Sequence, residues 1–411
     1  MLRQGIGDVG SVIPDSILND FAVQLPGGGA PLVVSSPALA REVLNDRADQ
    51  FDRDRLIRRL FRRSWGKGLA AAEGADWQRQ RRATVPFFRP QTVQAQLAAF
   101  AQAADSVIAG LEPGQHIELT DLAGRIVARI ALSVLVDGRG LVDPDAAARD
   151  VPAYLRRISD FALADLLPLP ESLIDRMRGI DGDPAVRRLR AMGSTLAAAR
   201  RDGVPRADMI ALLEGNGPIE DNIRGLFPAA MDTTVNGLAW ALYALARHPQ
   251  WQDRVAAEGA QRTLGSTLEG LGVTRQVVSE TLRLYPPGPL LARCAARDME
   301  LAGHRVRKGQ TVIVAVYALH RHRQLWHQPD LFEPDRFLPG RAQSDAYMPF
   351  GTGPRMCIAA HFAQAEMAVI LSRIAARFRI EPDGPDPEVS LKVSTCARSG
   401  LGARLIARQA A

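Results

Sequence analysis

The strongest pattern of apolar and polar positions runs from Asp221 to Arg247 and is closed by His248-Pro249. Apolar residues recur there at helical spacing, which predicts one helix of about 40 Å at ~1.5 Å per residue. Pro228 lies inside it, removes a backbone donor and predicts a kink. Thr233 stands four residues after Ala229, so its hydroxyl is placed to back-bond that carbonyl and loosen the turn further. Upstream, residues from Gln91 to Glu214 read as a succession of helices. They break at Glu112-Pro113-Gly114, Val136–Pro144, Leu167–Pro170 and Asp181–Pro184. Two more helical patterns follow the long one. The first carries Glu280-Thr281-Leu282-Arg283 and stops at Tyr285-Pro286-Pro287. The second follows Cys357, with Ile358, Phe362, Ala365, Val369 and Ile374 near one face.

Period-two stretches are short and few. Phe21–Leu25, Gly27-Gly28-Gly29 and Pro31–Val34 predict a hairpin, and Ser36-Pro37 opens a helix through Leu44. Gly288–Arg293 reads as extended and proline-bounded. Met299–Leu301 and Gln310–Val316 read as strands of a small sheet, and Ser390–Ala397 as a last hairpin. The fold class is therefore mainly α with small β-sheets (α+β). No repeat and no linker-like break in composition appears, so residues 1–411 are expected to form a single domain. Its β-rich parts are 20–36, 297–316 and 388–406, and 37–296 and 317–387 are mainly helical.

Composition narrows the function classes. A chain of 411 residues that is 46% hydrophobic can bury a large core. The three cysteines, Cys294, Cys357 and Cys396, are widely spaced and odd in number, which suits a reducing compartment. No signal-like core follows the N-terminus and no run approaches the roughly 18 apolar residues of a membrane span. A cytoplasmic protein with no membrane partner is expected. Net charge is +6. The arginines are spread along the chain without interleaved aromatics, which favours a basic face for an acidic protein over nucleic-acid binding. Arg53, Arg55, Arg58, Arg59, Arg62, Arg63 and Lys67 form the densest stretch, and a solvated helix face and a docking surface both fit it.

The candidate chemistry centres on Pro349-Phe350-Gly351-Thr352-Gly353-Pro354-Arg355-Met356-Cys357-Ile358-Ala359. Glycines and a proline make a tight loop that can approach another group closely. A thiol near a helix start, with Arg355 two residues away and Phe350 able to shield it, has the environment of a stabilised thiolate. A buried structural cysteine after a turn is the plainer reading of the same residues. Trp77 and Arg81 are four apart and share one helical face, so indole N–H and guanidinium can clasp one carboxylate. Glu280 and Arg283 are a same-face pair with apolar flanks, and Arg336 in Glu333-Pro334-Asp335-Arg336-Phe337 is a candidate third member.

Taken in order, these motifs resemble those of the cytochrome P450 family from Pro31 to Leu405. Phe350, Gly353, Arg355 and Cys357 match its haem-binding signature, with Ala359 where the family usually has glycine. Ala230-Met231-Asp232-Thr233 matches its oxygen-activation element, again with an alanine, Ala230, in place of glycine. Trp77 and Arg81 match its Trp-x-x-x-Arg element, and Glu280, Arg283 and Arg336 its structural triad. The resemblance implies a helical prism fold and a haem-thiolate monooxygenase with haem b (iron protoporphyrin IX). Cys357 would be the axial ligand of the iron, its thiolate favouring O–O cleavage. Asp232 and Thr233 would relay protons to dioxygen. Trp77, Arg81, Arg293 and Arg355 would neutralise propionates. A small apolar organic substrate would lie near Ala229, Ala230, Leu290, Leu291, Ser394 and Thr395. Phe161–Pro170 falls where a substrate-roof loop would lie, or is an ordinary connection between helices. No flavin- or cluster-binding segment is evident, so a separate ferredoxin and ferredoxin reductase are the expected electron donors. Arg58, Arg59, Arg62, Arg63, Arg79 and Arg82 are the expected docking residues. A monomer is expected. A peroxide-using or isomerising haem-thiolate enzyme and a helical binding protein without haem are the alternatives. The Asp232-Thr233 pair argues against the first, and the colour of the purified protein decides the second, which would lack haem.

Overall fold

The computed structural model describes residues 10, 13–138, 140–159, 171–202, 204, 206–341 and 345–408. They are mainly helical, with four small sheets, and they cluster into two compact units. The first unit comprises Met1–Arg58, Ser279–Ala360 and Val389–Cys396; the second comprises Arg59–Val278, His361–Glu388 and Ala397–Ala411.

The first unit is built on a five-stranded sheet in the order Ala22–Gln24, Leu32–Val34, Thr311–Val314, Leu291–Ala295, Phe51–Arg53. Leu32–Val34 runs parallel to Thr311–Val314, and the other neighbours are antiparallel. Alternation along these strands serves two cores. Leu32, Val34, Val312 and Val314 join Val43, Leu44 and Trp326 in one cluster, while Val33 packs with Ile17 and Ala315 in another. Covering both faces explains why the central strand Leu32–Val34 is continuously apolar and buried. The expected hairpin is present, its turn eased by Gly27 and Gly29 at positive φ. Ser36 caps the next helix through a bond from the Leu39 N–H (3.4 Å). That helix is regular only over Pro37–Arg41 and then widens into a π-turn, Glu42–Asp46.

The second unit is organised around the Ile219–Arg247 helix, which begins two residues before the expected start and contains Pro228 in its interior. Gly225 lets it pass close to Trp65, where an added Cβ would lie 3.0 Å from the Trp65 Cβ. Gly259, on the Pro249–Ala260 helix, meets the Ser372 carbonyl of the Ala360–Arg377 helix so closely that no side chain fits between them. Phe362 is wedged edge-on against Phe100 and Phe88, at ring centroid distances of 4.9 and 5.9 Å. A three-stranded antiparallel sheet, His116–Glu118, Gly402–Ala407, Phe378–Pro382, completes the unit. Its strands His116–Glu118 and Phe378–Pro382 lie inside ranges expected to be mainly helical. Both are too short to show a period of two in a helix-rich background.

Among the described residues no helix is long and apolar enough to cross a membrane. Phe161–Pro170 lies outside the described residues.

Candidate functional site

In the first unit the cysteine loop is held by its own backbone. The Gly351 N–H donates to the Met348 carbonyl (3.0 Å), Met356 N–H to Gly353 O (3.0 Å), and Cys357 N–H to Phe350 O (3.0 Å). Gly351 and Gly353 have φ of 70° and 76°, a region other residues rarely adopt. Gly353 is required twice over, because an added Cβ would overlap the Leu44 backbone carbonyl. The close approach foreseen for this loop is thus made to another part of the chain. Cys357 is exposed, with Phe350 and Arg355 half-buried beside it in sequence. One expectation needs correction: the helix after the cysteine begins at Ala360, with Ile358 and Ala359 in a turn. The sulfur therefore precedes the first helical turn, and the Cys357 N–H is already bonded to Phe350. Helix-end stabilisation of the thiolate is correspondingly weaker.

Beneath the loop lies a fully buried ion pair. Arg283 and Glu280 are both 0% exposed. The guanidinium grips the carboxylate through Nε (2.7 Å) and Nη2 (2.8 Å). Its remaining donors go to the carbonyls of His320 (2.8 Å), Pro329 (2.6 Å) and Leu331 (3.0 Å). Glu280 also accepts from the Glu333 N–H (2.8 Å), and Arg336 Nε lies 3.4 Å from it. Arg336 is itself fixed by the carbonyls of His327 and Gln328, at 2.7 and 2.9 Å. A buried pair is tolerable only when its outer hydrogen-bonding capacity is filled in this way. The structure brings Glu280, Arg283 and Arg336 together as expected.

Arg293 lies on the strand Leu291–Ala295, paired with Arg53 and Val312, and donates Nη1 to the Ala292 carbonyl (3.0 Å). Leu290 and Leu291 are half-buried in the same unit, with Leu291 Cδ1 3.2 Å from where a Cβ on Gly351 would sit. Ser394 and Thr395 are buried in the hairpin of Val389–Leu391 and Thr395–Ala397. The Thr395 hydroxyl is committed to the Pro286 carbonyl (2.6 Å), and its N–H to that of Pro287 (3.2 Å).

In the second unit Trp77 and Arg81 share one face of the Gly74–Thr84 helix, with the Arg81 guanidinium 5.6 Å from the indole centroid. On the long helix Thr233 is exposed, and its hydroxyl donates to the Ala229 carbonyl (3.0 Å), the back-bond the spacing predicts. Asn236 Nδ2 donates to the Asp232 carbonyl (2.8 Å) and approaches its carboxylate (3.4 Å). Ala229 and Ala230 are half-buried. Ile219–Arg247 nonetheless stays one unbroken α-helix, with Pro228 lacking a backbone donor and Thr233 and Asn236 each bonding a carbonyl four residues earlier.

Two buried residues escaped the sequence reading. Glu366 is 3% exposed on the Ala360–Arg377 helix. Burial pushes its carboxyl up to about 8, while a hydrogen bond with Thr234 of the long helix pulls the other way. Its signal was an acid among Phe362, Ala365 and Val369 on an apolar face. His320 is 0% exposed, and burial lowers it to about 3, so it is a neutral imidazole.

The donor set suits a metal that brings most of its own ligands. Among the described residues no group of three or more His, Cys, Asp or Glu could enclose a bare ion. A single exposed thiol on a fixed loop, with Arg293 and Arg355 in the same unit, fits a residue that would bond the iron of an anionic porphyrin.

Comparison with known proteins agrees. The family model described as Cytochrome P450 matches residues 23–179 and 216–399. The chain is similar to cyclooctat-9-en-7-ol 5-monooxygenase of Streptomyces melanosporofaciens, 30% identical over 84% of this chain and 79% of that one. Cyclooctatin synthase of the same organism is 30% identical over 90% and 86% of the two chains. The crystal structure of the cytochrome P450DA haem domain superposes with a TM-score of 0.77, at 23% identity over 94% of this chain and 90% of that one, a likeness of fold.

Proposed function

We propose, for a chain that belongs to the cytochrome P450 family, that Cys357 is the axial ligand of its haem and that Asp232 and Thr233 serve proton delivery in its monooxygenase reaction. The enzyme takes dioxygen, an organic substrate and electrons from donor proteins. The observation that carries the reading is Cys357 itself: an exposed thiol on a loop fixed at both glycines, with Arg355 two residues away. When bound, haem supplies the activation of dioxygen, which a thiolate ligand favours.

The chain's own residues do the rest. Arg293 and Arg355, with Trp77 and Arg81, neutralise and orient the propionates. Thr233 and Asp232, on a helix that lacks one backbone donor at Pro228, hold protons at a hydroxyl and a carboxylate. Glu280, Arg283 and Arg336 keep the cysteine side of the site rigid. Ala229, Ala230, Leu290, Leu291, Ser394 and Thr395 face an apolar substrate, hydroxylated or epoxidised. A relative whose name denotes oxygenation of cyclooctat-9-en-7-ol, a hydrocarbon alcohol, is in keeping with this.

A ferredoxin with its reductase is the donor system we favour, in the cytoplasm, with the enzyme a monomer of one domain. Exposed Arg58, Arg62, Arg79 and Arg82, with half-buried Arg59, suit an acidic ferredoxin. Arg79 also pairs with Asp76 (2.8 Å), and the Arg63 side chain lies outside the described residues. Electron-transfer rate is expected to fall steeply with added salt, and a flat profile from low to moderate ionic strength would refute the docking assignment.

The test of the central assignment is the carbon monoxide difference spectrum of the reduced protein. The wild type should show the band of thiolate ligation, and Cys357→Ser should lose both that band and turnover. Retention of either would overturn the reading.

A further inference from the structure

Behind the cysteine loop His320 makes two hydrogen bonds that join it to the buried ion pair. Its Nδ1–H donates to the Arg283 carbonyl (3.1 Å), and its Nε2 accepts from the Met348 N–H (2.9 Å). Arg283 returns the contact, donating Nη1 to the His320 carbonyl (2.8 Å). The two residues therefore clasp each other side chain to backbone in both directions. The Met348 carbonyl in turn accepts from Gly351 N–H, and the Phe350 carbonyl from Cys357 N–H. A continuous series of bonds thus leads from Glu280 through Arg283 and His320 to the loop that carries the thiol. The ring is held in place by Tyr347, stacked at 5.6 Å and 24°, which packs on Phe337 at 4.8 Å. A neutral imidazole is what the two bonds demand, one nitrogen donating and the other accepting.

We infer that His320 is a positioning residue for Cys357, locking the loop to the Glu280–Arg283 pair so that the thiol is presented in one geometry. The inference rests on Cys357 being the axial ligand. Without the imidazole, the Met348 N–H and Arg283 carbonyl stay buried and unpaired, and the loop gains by opening. The loop-opened population should rise about tenfold or more.

The test follows the thiolate-type carbon monoxide band and the far-ultraviolet circular dichroism of the holoenzyme through one urea titration. In His320→Phe, which keeps the stacked ring and loses both nitrogens, the band should convert to the thiol type at urea concentrations where helicity is intact. Val312→Ala, a cavity in the buried sheet of the same unit, should lower both transitions together. His320→Gln offers a carbonyl and an amide in one side chain and should restore the wild-type coincidence. If His320→Phe does not accumulate, His320→Asn serves instead, since its shorter amide reaches one partner only and should separate the transitions. Coincident transitions in His320→Phe or His320→Asn, or a Gln variant no better than either, would overturn the inference. Failure of the underlying ligand assignment is told apart by Cys357→Ser: a thiolate-type band surviving there sinks that assignment, whatever the His320 variants do.

Discussion

Two of the buried carboxylates, Glu280 and Glu366, are treated in opposite ways. Glu280 is 0% exposed and lies in a bidentate pair with Arg283, with the Glu333 N–H and Arg336 adding to it. Glu366 is 3% exposed, is held by a threonine hydroxyl, and has no ion-pair partner among the described residues. Removal from water is nearly the same for both, so the partner decides what burial does. A saturated ion pair makes a rigid anchor. A carboxyl bonded to Thr234, with no cation paired to it among the described residues, keeps its proton near neutrality and stays responsive to pH. The anchor lies beneath the cysteine loop, and the responsive acid lies against the helix that carries Asp232 and Thr233.

The sharpest way to break this contrast is to remove the cation. Arg283→Met should strand a buried charge and cost about 3–5 kcal/mol in denaturant unfolding, enough that little folded enzyme accumulates. Restoring neutrality with Glu280→Gln in the same chain should recover part of the loss. If the double variant is no more stable than Arg283→Met, the cost is not one of uncompensated charge.

The pH dependence should be almost as large. The Glu366 carboxyl is raised from 4.5 to about 8, so the folded protein holds a proton that the unfolded chain releases. Its favourable contribution is complete below 4.5 and is lost as pH rises toward about 8, at ~1.4 kcal/mol per pH unit. Glu366→Gln should flatten that part of the stability profile and leave the variant more stable than wild type at pH 8. Equal slopes in the two proteins would mean that Glu366 ionises freely.

A smaller effect is expected from the hydroxyl. Thr234→Val removes the bond that holds the Glu366 carboxyl down, so the sloping region should extend to higher pH, with a loss of about 1 kcal/mol at neutrality. Smallest in stability is Thr233→Ala. The side chain is exposed and bonds only locally to Ala229, so unfolding should change by no more than about 0.5 kcal/mol. Product formed per reduced nicotinamide consumed should nonetheless fall, on the order of tenfold, if the hydroxyl conveys protons. Unchanged coupling would remove Thr233 from the reaction.

What the sequence disclosed divides along the same line. Glu280 and Arg283 are three residues apart with apolar neighbours, and the loop from Phe350 to Cys357 is contiguous, so local spacing carried both. The back-bond from Thr233 to Ala229 was legible for the same reason. His320 was not, because its partners at Arg283 and Met348 are 37 and 28 residues away and a histidine near a strand end has many uses. Glu366 was hidden similarly, since one acid in an apolar stripe does not reveal that it faces another helix. The glycine at Gly353 announced a close approach without saying to what. Helix onset at Ala360 was missed because nothing in Ile358-Ala359 forbids helix; the turn is imposed by the bond from Cys357 N–H to Phe350.

The contact of Gly353 with the Leu44 carbonyl bears on how the protein comes to exist. Leu44 emerges early from the ribosome and Gly353 late, so the segment bearing the thiol has nothing to settle against unless its counterpart has been kept available throughout synthesis. Contacts between such distant positions are slow to form. Cofactor capture should therefore be among the last events of maturation, and a shortage of haem should leave an almost finished protein waiting.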